Sequence, residues 1–168
     1  MSAVVSDTSP LHYLVLCESV DVLRTLFGEV LIPPTVFQEL QHQHTPSPVR
    51  AWAQSLPAWI KVQKPAVLDQ TLNVDEGERE AIALAREIKA VAILMDDRKG
   101  RIEAMRCGLQ VTGTIGLLEA AAARGLVDLT KAVQSLRLTN ARLDDELLEA
   151  ALRRQRAQQI QRGPGRTP

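Results

Sequence analysis

"VVSDTSPLHY" at residues 4–13 and "AVAILMDD" at residues 90–97 share one feature: each is a short apolar run that ends in aspartate. In the first, Thr8, Ser9 and Pro10 follow the acid, and a proline that cannot donate to a strand ladder suits the first turn of a helix. Asp7 is therefore expected at the carboxyl end of a strand. The second run is continuous, as expected of a strand buried on both faces, and Asp96 and Asp97 close it before the helical "RKGRIEAMRCG". Between and around these runs, strand and helix patterns alternate. "EVLIPP" and "LQVTG" read as brief strands, "WIKVQ" as an edge strand, and "TVFQELQHQ", "SPVRAWAQSLP" and "DEGEREAIALAREIK" as helices. Alternation at this spacing predicts an α/β fold with a mainly parallel sheet covered on both faces. In such sheets ligands bind beyond the carboxyl ends of the strands, where Asp7 and the Asp96–Asp97 pair would meet.

Composition narrows the function. The 168 residues allow one substantial core, and 3% aromatic content leaves no platform for stacking bases, which argues against an OB-type or RRM-type binder. Cys17 and Cys107 match no metal or disulfide spacing and suit reduced thiols in a cytoplasmic protein. No apolar run is long enough to span a membrane, and Asp7 stands where a secretory signal needs basic residues. The formal net charge of zero hides a division: five arginines and no acids follow Leu152, leaving 15 basic and 20 acidic side chains in residues 1–152. The expected organisation is one domain over residues 1–152 and a basic, largely disordered tail over 153–168. That tail is either a solvated terminus or a contact for RNA phosphates or an acidic partner.

Each acid has a structural reading beside a chemical one. Asp is common where strands end and helices begin, as an N-cap. Glu39 falls at the border of the apolar face formed by Val36, Phe37 and Leu40. Glu78 lies with Ala81, Ile82 and Ala85 on the face that should be buried, whereas Glu76, Glu80 and Glu87 point elsewhere and read as solvated surface. Asp75 and Glu78 also have the spacing of a capping box, an alternative account of Glu78. His42 and His44, two apart, share no helical face and suggest a surface loop rather than zinc.

"SDTSPL", "IPPTVFQEL", "GEREAIALA", "LMDDRKGR" and "CGLQVTGTIGLL", in this order, resemble the PIN-domain ribonucleases, most nearly the VapC-like branch, over Val4 to Leu138. The resemblance implies a three-layer α/β/α domain and four acidic positions matching Asp7, Glu39, Glu78 and one of Asp96 and Asp97. Asp97 is favoured because the family's acid stands two positions after the residue matching Met95. Ser9 matches a hydroxyl residue that positions a ligand or water, and Thr114 either lines the acidic site or caps a helix. Arg98, Lys99 and Arg101 either offer charge to phosphates or form a plain exposed basic turn.

Two carboxylates about 4 Å apart repel by roughly 4 kcal/mol at an effective dielectric near 20, so four gathered at one sheet edge call for a divalent cation. Oxygen donors suit Mg²⁺ or Mn²⁺. The implied function is metal-dependent cleavage of single-stranded RNA, as in the toxin of a VapBC-type pair. A small antitoxin partner and a homodimer follow from the same likeness. The alternatives are a non-cleaving PIN-like module that binds RNA or protein, and a receiver-like domain. The last is disfavoured because its paired acids follow the first strand, while here the pair comes late.

Overall fold

The computed structural model describes residues 3–139 and 142–163. Five strands form one sheet: β1 (Val4–Ser6), β2 (Val30–Ile32), β3 (Ile60–Val62), β4 (Ala92–Leu94) and β5 (Val111–Thr112). Their order is β3-β2-β1-β4-β5, and every pairing is parallel. The helices are α1 (Thr8–Leu16), α2 (Val22–Phe27), α3 (Pro34–Leu40), α4 (Ser47–Gln54), α5 (Glu76–Glu87), α6 (Arg98–Arg106), α7 (Thr114–Ala123), α8 (Leu129–Arg137) and α9 (Asp145–Arg162).

β1, β2 and β4 are short but fully buried, and the alternation of side chains along the strands separates two cores. Val4, Val30, Ile32, Ala92 and Leu94 face one layer, built mainly by α1 to α4 and α7 to α9. Val5, Leu31, Ile93 and Met95 face the other, where α5 contributes Ala81, Ile82, Leu84 and Ala85, and α6 contributes Ala104. This is the three-layer α/β/α arrangement expected, and β3 takes the edge position assigned to "WIKVQ".

The chain starts at the centre of the sheet. It winds outward through β2 and β3 with α1 to α4 on one face, then returns to the other side of β1 for β4 and β5, with α5 and α6 on the opposite face. Right-handed crossovers demand this change of face when the direction of winding reverses. The reversal leaves β1 and β4 adjacent at the switch point, with Ser6 level with Leu94. Asp7 and the Asp96–Asp97 pair thus leave the sheet at the same edge. α3 and α5, which belong to opposite layers, also touch there.

One expectation about organisation is corrected. Residues 153–162 are not a disordered tail but the last turns of α9, and residues 164–168 lie outside the described residues. Arg, Gln and Ala are good helix formers, and Leu148, Ala151 and Leu152 anchor the preceding turns, so propagation needs no apolar face of its own. Arg154 reaches back to α7 through Nε and Nη2, both donating to the Glu119 carboxylate at 2.7 and 3.1 Å. From Arg156 to Gly163 every residue is exposed. Ending the chain after Gln155 is expected to lower Tm by less than about 3 °C, whereas ending it after Glu146 removes Leu148, Ala151 and Leu152 and is expected to unfold the protein. Thermal denaturation followed by circular dichroism checks both.

Candidate active site

At the carboxyl edge of the sheet, Asp7 extends β1 by one residue: its N–H donates to the Leu94 carbonyl at 2.9 Å. Its side chain is only 6% exposed. It precedes α1 but makes no side-chain cap bond to that helix, so the N-cap account does not explain it. Burial pushes the Asp7 carboxyl up to about 8. The Thr8 amide opposes that shift, and the charges of Glu78, Asp75 and Glu39 reinforce it.

Glu78 satisfies both readings made of it. The capping box is formed: the Glu78 N–H donates to Asp75 Oδ1 at 2.8 Å, and the Asp75 N–H donates to Glu78 Oε2 at 3.2 Å. The side chain is also 5% exposed, on the inner face of α5. Burial first, then the Asp75 and Asp97 carboxylates, raise its carboxyl to about 7. Glu39, on α3, accepts a hydrogen bond from the Thr8 hydroxyl. Burial raises its carboxyl too, against the effect of that bond.

Asp97 and Asp96 part company. Asp97 caps α6, its Oδ1 accepting from the Lys99 and Gly100 amides at 2.9 and 3.0 Å, and it bears on Glu78. Asp96 turns toward α7: Oδ1 accepts from the Thr114 N–H and Oδ2 from the Thr114 hydroxyl, both at 2.7 Å. Asp7 thus feels the charges of Glu39 and Glu78, and Glu78 that of the exposed Asp97, while Asp96 and Thr114 form a clasp between β4 and α7. Arg101 belongs to that clasp; its Nη1 donates to the Met95 carbonyl at 2.8 Å. Arg98 and Lys99 stand exposed at the start of α6. Ser9 is half-buried in the first turn of α1, and the hydroxyl that meets an acid is that of Thr8.

Several residues at this edge were not foreseen. A Cβ at Gly100 would stand 2.6 Å from both Glu78 Oε1 and Met95 Sδ, and one at Gly77 would stand 3.0 Å from Glu39 Oε1. Glycine lets the first turns of α6 and α5 close on these carboxylates. A glycine inside a helical pattern is the available signal of such an approach. Glu80 is a correction: it is not solvated surface but 7% exposed, and its Oε2 accepts from the Thr35 N–H at 3.0 Å. Pro33, the N-cap of α3, has no side-chain acceptor, so Glu80 supplies one from another helix. His42 and His44 lie on the surface after α3, as expected.

A family model described as a PIN domain (DUF3368) matches residues 3–157. The chain belongs to the PIN-domain family. PIN domains are in general nucleases, and the fold seen here is of that type. No curated protein matches the chain significantly. Among solved structures, the chain is similar to a PilT N-terminus domain protein from the hyperthermophilic archaeon Sulfolobus solfataricus P2. The likeness has a TM-score of 0.50 at 19% identity and covers 72% of this chain and 93% of that one. At that identity it speaks for the fold.

PIN domains typically use divalent metal ions. The donor chemistry of this site agrees: Asp7 and Glu78 are buried and Glu39 is half-buried, their carboxyl oxygens suit a hard cation, and among the described residues no Lys or Arg pairs with them. As placed, however, no three or more His, Cys, Asp or Glu among the described residues form a group that could hold a metal ion. The carboxylates are instead turned to local partners: Glu78 to the Asp75 amide, Asp97 to its own helix, and Glu39 to Thr8.

The raised Asp7 and Glu78 carboxyls fix the sign of a pH dependence. The folded chain holds these protons more tightly than the unfolded chain, so the stability they contribute is fully present below about pH 4 and is lost as pH rises toward 8. Metal-free protein is expected to show a Tm that falls between pH 5 and 8. Asp7→Asn, neutral throughout, should flatten that fall and melt about 3 °C or more above the natural chain at pH 8. Scanning calorimetry across the range checks it; an unchanged slope in the variant would refute the cause given.

Proposed function

We propose that this PIN domain is a metal-dependent endoribonuclease that hydrolyses phosphodiester bonds of single-stranded RNA. The observation that carries the reading is the placing of Asp7, Glu39, Glu78 and Asp97 at one sheet edge with no cationic side chain among the described residues paired to them. These four would hold Mg²⁺ or Mn²⁺. The bound ion supplies Lewis acidity at the phosphodiester and lowers the pKa of water.

The chain's own groups have separate tasks. Glu78 would exchange its bond to the Asp75 amide for the cation, and Glu39 its bond to Thr8, so the Thr8 hydroxyl is then free to orient water or a phosphate oxygen. The exposed Arg98 and Lys99 sit where basic groups oppose the α6 dipole, and an external phosphate would relieve that conflict. Asp96, Thr114 and Arg101 hold the start of α7 against the end of β4 and act as positioning residues.

The toxin-type role extends this reading: a VapC-like chain with a small antitoxin partner, homodimeric and cytoplasmic, as the sequence motifs imply. The absence of a ready-made three-donor group among the described residues favours a second reading, a PIN-like module that binds RNA or protein without cutting.

Two measurements separate these. Single-stranded RNA is expected to be cut with Mg²⁺ or Mn²⁺ and to survive in excess EDTA; cleavage undiminished by EDTA would sink the metal-dependent reading, and intact RNA with either ion would support the binding module. Glu78→Gln keeps size and a hydrogen-bond acceptor for the Asp75 amide, so it should cost no stability while Mn²⁺ affinity and cleavage fall by about tenfold or more. Glu80→Gln can still accept from Thr35 and is expected to bind Mn²⁺ normally. Titration calorimetry on both decides the third ligand: normal affinity in Glu78→Gln removes Glu78 from the set.

A further inference from the structure

α9 leaves the body of the domain carrying charge that the fold uses only in part. Arg154 is held by Glu119, which takes its Nε and Nη2 and leaves Nη1 without a protein partner among the described residues. Arg162 forms no ion pair there either. Arg154, Gln158 and Arg162 fall at i, i+4 and i+8, a single stripe about 12 Å long by helix geometry. That stripe faces α7 across a groove of about 410 Å³, whose opposite wall includes Glu119 and Ala123. The alanines that follow Glu119 in "EAAAA" at 119–123 keep the rest of that wall low.

A second groove, of about 360 Å³, shares Glu119 and Arg154 with the first. It runs past Ile115 to Asp96 and Arg101, at the rim of the acidic site. The two share a wall and run from the Asp96–Arg101 clasp beside the candidate active site to the end of α9, with guanidinium groups at the beginning, middle and end and the Asp96 and Glu119 carboxylates beside the first two. No aromatic ring lines either groove, so nothing on the path stacks a base.

We infer that the α7–α9 groove holds the backbone of a single-stranded RNA flanking the bond to be cut, with Arg154 and Arg162 on phosphates and Gln158 on sugar or phosphate oxygens. This rests on the nuclease reading for the choice of polymer. Arg162 and Arg154 Nη1, without protein partners among the described residues, and continuity with the clasp beside the site favour that occupant. Arginine and glutamine on a polar stripe hold a backbone without reading its sequence. The groove therefore adds affinity for longer RNA and leaves the chemistry at the acids alone.

The test is fluorescence anisotropy in EDTA, with the full-length protein and labelled single-stranded RNAs of 6 and 20 nucleotides. The variants are Arg162→Ala, Arg162→Glu, the chain ended after Gln155, and Lys61→Ala on the far edge strand as a control. Arg162→Ala is expected to weaken 20-mer binding about threefold or more and to lower the slope of log affinity against log salt by about 0.7. The charge reversal and the truncation should weaken it further. Hexamer binding and the Lys61 variant should match the natural chain, as should Mg²⁺-dependent cleavage of the hexamer.

Unchanged 20-mer affinity in the Arg162 and truncated chains overturns the inference, as does an equal loss in Lys61→Ala, which would mean attraction by charge alone. A shift in sedimentation without a shift in RNA affinity would assign the groove to a second copy of the chain and also overturn it. Groove-dependent binding with no cleavage under Mg²⁺ would remove the nuclease reading and leave the groove standing; cleavage with groove-independent binding would do the reverse.

Discussion

The parallel pairing of β1 with β4 is the constraint on which the site rests. The bond from the Asp7 N–H to the Leu94 carbonyl continues that ladder one residue past β1, where the last side chain of the ladder is an acid in place of an apolar group. Everything else is brought to this point. α5 presents Glu78 from the face that covers β1 and β4, α3 reaches across from the other layer with Glu39, and α6 starts from Asp97 as β4 ends. Had the strands paired antiparallel, these acids would have left at opposite edges.

The edge is held in tension. Burial favours the neutral forms of Asp7, Glu39 and Glu78, and each carboxyl is raised above its ordinary range. Removing a charge here should make the fold easier to keep, the reverse of the usual effect of a mutation at a buried polar residue. Conflict of this kind between stability and local charge marks a surface selected for something other than stability. It also separates the two aspartates that are neighbours in sequence. Asp96 has both oxygens satisfied by Thr114, while Asp97 faces Glu78 and accepts from the first turn of the helix it caps.

Much of this could be read from residues alone, and the limits have physical causes. Pro10 and the apolar run before Asp7 were enough to place that acid at a strand end, and the spacing of Glu78 with Ala81, Ile82 and Ala85 was enough to bury it. Glu80 was misread because helical geometry places it off the apolar face. Its burial comes from an unprotected amide at Thr35, on a helix 45 positions away, a relation that no local pattern carries. Thr8 and Ser9 are chemically alike and adjacent, so only the packing of α3 chooses between them. Asp96 and Asp97 posed the same difficulty until backbone geometry turned one toward α7. The length of α9 escaped because periodicity reports burial, and an exposed helix of good formers has none.

The central position of β1 has a consequence for how the chain is made. Val4 leaves a ribosome long before its neighbour Ala92 on β4, which arrives only after β2, β3 and five helices have been synthesised. Until then β1 can be covered by β2 on one edge, while the other presents unpaired backbone groups and a strand of valines. Such late, non-local pairing is slow, and an open apolar edge invites the wrong partner while it waits. The arrangement that gathers the carboxylates thus makes assembly of the sheet, rather than formation of any helix, the step at which a nascent chain is most exposed to aggregation.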